Sequence, residues 1–231
     1  MLLALMASIT IPLGALLACI KQLQPSWLEE ELRHAVIAFG AGILLAAIAL
    51  VLVPKGMEHL SLTWMIVYFT LGGISFFLID KEFTKKVGPV SQLMAMSLDF
   101  VPEAMALGAM ITYDRGTALL LCLLIAFQNL PESFNAFREI RGSVHITHKK
   151  LVGGFALLML LGPVSALLGL YFLTGADAWL AGIMSFSSGG ILYLIFQDIA
   201  PQVPLEKHWA PPLGAVGGFL VGIVGHMLLQ G

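Results

Sequence analysis

Eight stretches of about twenty residues, at 1–20, 34–54, 61–80, 90–113, 116–137, 150–173, 178–198 and 212–230, are dominated by apolar side chains. A helix rises about 1.5 Å per residue, so each is long enough to cross the roughly 30 Å hydrocarbon layer of a bilayer. Backbone in lipid has to satisfy its own N–H and C=O groups, and a continuous apolar run does so as a helix. The expected fold is therefore all-α: a polytopic membrane protein with eight transmembrane helices. Breakers fall between the runs: Pro25-Ser26-Trp27-Leu28-Glu29, where Ser26 and Glu29 have the spacing of a helix-starting capping box, then Gly88-Pro89, Asp114-Arg115-Gly116 and Thr174-Gly175. The segment from Pro201 to Pro212, with four prolines, reads as a loop. No linker is long enough to separate two soluble domains, so residues 1–231 form a single membrane-embedded domain.

Composition agrees. Charged residues make up 11% of the chain, against roughly 25% in soluble domains. The 24 glycines suit helices that pack closely in lipid, and Gly214, Gly218 and Gly222 form one small-residue ridge on the last helix. A net charge of −2 gives no footing for a nucleic-acid partner. Cys19 and Cys122 lie inside apolar runs and read as packing residues. Residues 1–20 lack the basic start and short core of a secretory signal, so they read as the first span.

Basic residues orient the chain. The odd-numbered loops hold Lys21, Arg33, Lys81, Lys85, Lys86, Arg138, Arg141, Lys149, Lys150 and Lys207, and the even-numbered ones only Lys55 and Arg115. Positively charged loops stay cytoplasmic, which places both termini outside.

Acids inside the spans demand a reason, because a charge at mid-membrane costs about 2.5–3.5 kcal/mol on insertion scales. Asp99 and Glu103 stand one helical turn apart in the fourth span. Gln128 and Glu132 repeat that spacing in the fifth, with Asn129 alongside. Asp99-Phe100-Val101-Pro102-Glu103 and Gln128-Asn129-Leu130-Pro131-Glu132 each put a proline before the glutamate. Each proline leaves a carbonyl unpaired, that of Leu98 and that of Phe127. Joined by a short turn, the two helices are antiparallel neighbours whose polar faces meet near mid-membrane. Opposed carboxylates repel unless they are protonated or bridged by a cation. Two readings follow: an ion path, or a clamp of protonated acids hydrogen-bonded between helices.

These paired helices resemble the fourth and fifth spans of the ZIP metal transporters, which carry related motifs ending in Pro-Glu-Gly. Phe39-Gly40-Ala41-Gly42-Ile43-Leu44-Leu45-Ala46 with Leu52-Val53-Pro54 is similar to the family's second span. Leu161-Gly162-Pro163-Val164-Ser165-Ala166 is similar to its sixth, and Phe186-Ser187-Ser188-Gly189-Gly190-Ile191-Leu192-Tyr193 with Gln197, Asp198 and Pro201 to its seventh. The resemblance covers nearly the whole chain. It implies a 3+2+3 arrangement in which spans one to three and six to eight are inverted repeats around spans four and five. It also implies transport of zinc, manganese or iron into the cytoplasm across the cell membrane, with no prosthetic cofactor, and it suggests a homodimer. The metal ligands it implies are Asp99, Glu103, Gln128, Asn129 and Glu132, the two glutamates bridging.

The departures narrow this. Asp99 stands where the family has a histidine ligand, Phe100 where it has an asparagine, and Gly162 where an acid or histidine is common in the sixth span. Only Glu103, Asn129 and Glu132 remain for a second site, which argues against a binuclear centre and favours, as the alternative, a transport-inactive scaffold or metal sensor. The remaining site is all oxygen, a donor set that suits manganese, magnesium or calcium more than zinc. Elsewhere, His145 and His148 read as solvated loop residues, Lys55, Glu58 and His59 as an interfacial cluster, His226 as structural or interfacial, and Asp198 as an exit relay or a solvated helix end. Neither a nucleotide-binding loop nor a Ser/His/Asp set appears in the sequence, so the chain is not expected to be an enzyme.

Overall fold

The structure, a computed structural model, describes residues 1–20, 26–87, 91–112, 114–204 and 209–230. The Gly88-Pro89 turn, Lys21, Pro25 and Lys207 lie outside them, as do the side chains of Ser26, Glu29, Lys85 and Lys86. Among the described residues the chain is all helix, without strands. Helices α1 (Leu2–Ser8) and α2 (Thr10–Ala18) make one rod, interrupted at Ile9 because Pro12 has no N–H to give the Ser8 carbonyl. Helix α3 (Ser26–Ala47) runs through a π-helical turn, Ile48–Leu52, into α4 (Val53–His59). Then come α5 (Leu62–Val87), α6 (Ser91–Met110) and α7 (Arg115–Ser143). Helices α8 (His148–Leu158) and α9 (Leu161–Phe172) form a sixth rod. A seventh is α10 (Asp177–Leu194) with a second π-helical turn, Ile195–Ile199, and the last is α11 (Leu213–Gln230).

These eight rods correspond to the eight apolar runs. Five are long and apolar enough to cross a membrane: Glu31–His59, Leu62–Glu82, Arg115–Ser143, His148–Phe172 and Asp177–Gln202. Leu2–Ala18 and Leu213–Leu229 are apolar but shorter. Several ends differ from expectation. Arg138 and Arg141 ride on the final turns of α7, while His148, Lys149 and Lys150 open α8, which leaves a connection of four residues. Long basic side chains extend the helix past its apolar core, so the edge of the apolar run does not mark the helix end.

Burial separates inner rods from outer ones. In the most apolar window of each span, 67% of Glu31–His59 and of Asp177–Gln202 is buried, against 11% of Leu62–Glu82. The outer face carries Leu2, Met6, Leu62, Ile66, Leu220 and Met227, an apolar surface that suits lipid. The centre of the core is built on α3, α6 and α7 from Leu44, Leu107, Met110, Leu121 and Leu124.

Helices pair through glycine. The α3–α11 pair closes where the Ala35 and Phe39 carbonyls occupy the space a side chain at Gly214 and Gly218 would need. Gly72 and Gly189 do the same between α5 and α10, Gly108 and Gly169 between α6 and α9, and Gly14 between α2 and α7. The ridge on α11 is thus a packing surface. The π-helical turns also come as a pair, each just ahead of a proline, Pro54 or Pro201.

Candidate functional site

Helices α6 and α7 are neighbours near the centre of the bundle, and their polar stripes face each other. Asp99 and Glu103 are buried, at 3% and 1% exposure, and Gln128 and Asn129 are completely buried. Gln128 Nε2 donates to Glu103 Oε2 at 2.5 Å, which joins the two motifs directly. The charge of Asp99 acts on Glu103, and the charges of both act on Glu132, so the three carboxylates occupy one electrostatic neighbourhood. Glu132 is half-buried as a residue, but both its carboxylate oxygens are shielded. Glu103 and Gln128 are therefore in direct contact, and Asp99 and Glu132 lie within electrostatic reach of them. Asn129 is buried one residue further round α7 and makes no hydrogen bond with the other four.

The cluster is short of partners. Asp99 Oδ1, Glu103 Oε1, Gln128 Oε1 and both oxygens of Glu132 have no hydrogen-bond partner, nor have the two polar atoms of Asn129 or Ser187 Oγ on α10. A buried polar atom left unpaired costs about 1–3 kcal/mol, more when charged. The unpaired oxygens of Asp99, Glu103, Gln128 and Glu132 form the kind of environment that a cation relieves. As the side chains stand, no three His, Cys, Asp or Glu side chains among the described residues are arranged to hold a metal ion. The cluster is a set of donors that would have to close around an ion.

Phe100, adjacent to Asp99, turns away from this set. Its buried ring packs at Gly162, where an added Cβ would stand 2.8 Å from Phe100 Cζ and also run into Ser8 Oγ. The two departures noted in the sequence thus touch each other.

Glu132 borders a crevice of about 20 Å³, also lined by Ile37, Gly40, Pro131, Asn135, Ile199 and Gln202. That volume holds about one water. Asn135 Nδ2 donates to Gln202 Oε1 at 3.4 Å across its end. Beyond it the charges of Asp80 and Glu139 act on Asp198, and Tyr193 Oη donates to Asp80 at 2.9 Å. Asp198 is half-buried at the end of its rod, within electrostatic reach of these two acids. Sequence reasoning passed over Asn135, Gln202 and Tyr193. Asn135 had a signal, since Gln128, Glu132 and Asn135 continue one stripe at helical spacing; the other two had none.

Two further candidates make side-chain contacts. His148 Nδ1 lies 2.6 Å from Arg141 Nη1 and 3.5 Å from Cys19 Sγ, and its ring meets Phe137; the residue is exposed, as expected, but opens α8 and does not lie in a loop. At the opposite end of the bundle, Lys55 Nζ pairs with Glu58 at 3.0 Å and with Asp114 at 3.2 Å. Asp114 also caps α7, accepting from Thr117 N at 3.0 Å and Thr117 Oγ1 at 2.7 Å. Partial burial raises its carboxyl, but the bonds from Thr117 and Lys55 outweigh burial and hold it below the usual carboxylate range.

Compared with known proteins, the chain matches no family model, and no curated protein matches it.

Proposed function

We propose that this chain is a ZIP-like carrier that moves a divalent metal ion through a site between α6 and α7. The observation that carries the reading is the set of unpaired buried oxygens on Asp99, Glu103, Gln128 and Glu132. Three crowded acids in a core otherwise short of charge are a costly arrangement that a bound cation relieves. Gln128 offers a way to do so reversibly. Its amide N–H serves Glu103 now, and a half-turn of the amide would present Oε1 to an ion instead.

The packing supports the 3+2+3 arrangement. Exchange rods one to three for six to eight, and four for five. The pair α2–α7 then becomes α9–α6, α3–α11 becomes α10–α5, and α3–α7 becomes α10–α6. The π-helical turns exchange as well. An inverted repeat of this kind supports alternating access around a central site. The distribution of basic residues supports an orientation with the Arg138 end in the cytoplasm and both termini outside. On that orientation the crevice at Glu132 leads inward.

All proposed donors are oxygens, so the cargo is a harder ion, Mn²⁺ or Fe²⁺ ahead of Zn²⁺. The test is uptake of radiolabelled divalent ions by vesicles reconstituted with the protein. Manganese uptake that disappears in Glu132→Ala is the expected result. Zinc uptake that far exceeds manganese and ignores excess manganese rejects the preference. Phe100 packed at Gly162 favours the second reading, a metal sensor or scaffold that binds without transporting. Binding to the purified protein without uptake of any ion selects it.

A further inference from the structure

Ser187, on α10, is only 1% exposed, and its Oγ has no hydrogen-bond partner. Other helical serines here satisfy themselves. Ser97 donates to the Leu93 carbonyl at 2.8 Å, Ser143 to Glu139 at 3.0 Å and Ser188 to Met184 at 2.8 Å, each one turn back on its own helix. A buried hydroxyl without such a bond is costly and calls for a reason.

The repeat within the fold places it. One interval of sequence separates Phe39 from Phe186, Gly42 from Gly189, Pro54 from Pro201 and the first π-helical turn from the second. The same interval carries Gly40 onto Ser187. The exchange that turns α3–α7 into α10–α6 carries Pro131 and Glu132 onto Pro102 and Glu103. Gly40 lies against Pro131, where an added Cβ would stand 3.3 Å from Cγ, and both border the crevice at Glu132. Ser187 correspondingly lies against α6 at Pro102, beside Glu103. The packing of α10 agrees: Gly182, Gly189 and Gly190 face α5 and Ser185 meets Met65, which leaves the flank of Ser187 for α6. Where Gly40 leaves a water-sized space beside one glutamate, Ser187 sets an oxygen beside the other.

We propose that Ser187 Oγ is a ligand of the cargo ion, supplied by a third helix on the Glu103 side of the α6–α7 site. The assignment rests on the metal-binding reading of that site. A hydroxyl offers a cation its lone pairs and keeps a proton to give to a neighbouring carboxylate. It therefore adds an oxygen donor without adding charge to three crowded acids, and it maintains the preference for a harder ion. An ion held in this way joins α10 to α6 as well as α6 to α7.

The experiment uses purified full-length protein carrying Cys19→Ala and Cys122→Ala, titrated with Co²⁺. Cobalt bound by a thiolate shows a sulfur-to-metal charge-transfer band in the near ultraviolet, and cobalt bound by oxygens does not. Ser187→Cys should show that band on binding Co²⁺, and Ser188→Cys, one residue along, should bind without it. Adding Glu103→Gln to Ser187→Cys should remove the band. In parallel, Ser187→Ala should bind Mn²⁺ about tenfold more weakly by electron paramagnetic resonance, the usual worth of one polar contact with a charge. Its metal-free melting temperature should not fall, because the hydroxyl has no bond to lose. Co²⁺ binding by Ser187→Cys without the band, or native Mn²⁺ affinity in Ser187→Ala, overturns the assignment and leaves the α6–α7 site standing. Absence of Mn²⁺ and Co²⁺ binding to the unsubstituted chain overturns both. The band with no radiometal uptake in vesicles removes only the carrier reading.

Discussion

Phe100 and Gly162 share one volume: the ring of the first occupies space that any side chain on the second would need, with a Cβ there only 2.8 Å from Cζ. Neither residue explains itself alone. Together they convert what the ZIP resemblance marks as a ligand position into apolar packing between α6 and α9.

That contact predicts a coupled stability effect. Gly162→Ala should lower stability by about 1–3 kcal/mol through overpacking. Ser8→Ala should recover most of the loss, because the Ser8 hydroxyl stands nearest the added Cβ, and Phe100→Leu should recover a further part. Thermal unfolding in detergent of the single, double and triple variants checks it. Equal loss in all three would mean that the glycine is needed for some other reason.

How much of this was legible beforehand follows from what each feature depends on. The eight rods follow from apolar runs, a local property, and so does the one-turn spacing of Asp99 with Glu103 and of Gln128 with Glu132. That the two stripes face each other followed from the short turn at Asp114-Arg115-Gly116. The ends of α7 and α8 did not follow, because Arg138, Arg141 and Lys149 are charged yet helical. The π-helical turns depend on a proline and on the helix packed alongside. Tyr193 with Asp80, and Asn135 with Gln202, join residues far apart in sequence, which no local spacing encodes.

The crowded carboxylates predict opposite effects on stability and on binding. Glu103→Gln replaces one of three crowded buried acids with a neutral amide and should raise the melting temperature of the metal-free protein. The same change should abolish stabilisation by Mn²⁺, which in the native chain should reach about 2.7 kcal/mol at a hundredfold excess over Kd. Melting curves with and without Mn²⁺ check both. A Glu103→Gln protein that is stabilised by Mn²⁺ as much as the native chain takes Glu103 out of the site.

Asp114 predicts an acid-sensitive helix start. Its folded carboxyl is held below the usual range, so its contribution is present above the unfolded value and is lost as pH falls through the lower, folded one. The native chain should lose stability more steeply than Asp114→Asn as pH drops below about 4. At neutral pH, Asp114→Ala should cost about 1 kcal/mol, the usual loss for a missing helix cap. Melting temperature against pH for the three proteins is the measurement, and parallel curves for the native chain and Asp114→Asn would deny the carboxylate this role.

The crevice at Glu132 predicts directional access. Gln202 stands at its end, bonded to Asn135, with Glu132 behind them. In a chain carrying Cys19→Ala and Cys122→Ala, the thiol introduced by Gln202→Cys should react with an impermeant reagent only from the side of Arg138 and Arg141. An ion held by Glu132 draws the carboxylate inward and Asn135, one turn along α7, shifts with it. Saturating Mn²⁺ should therefore change the alkylation rate severalfold, and Glu132→Gln should abolish that change while leaving the metal-free rate as it was. Reaction from the opposite side would reverse the inferred orientation. A rate indifferent to Mn²⁺ in the native background would separate the crevice from the ion path, leaving the oxygen cluster without an exit between α3 and α7.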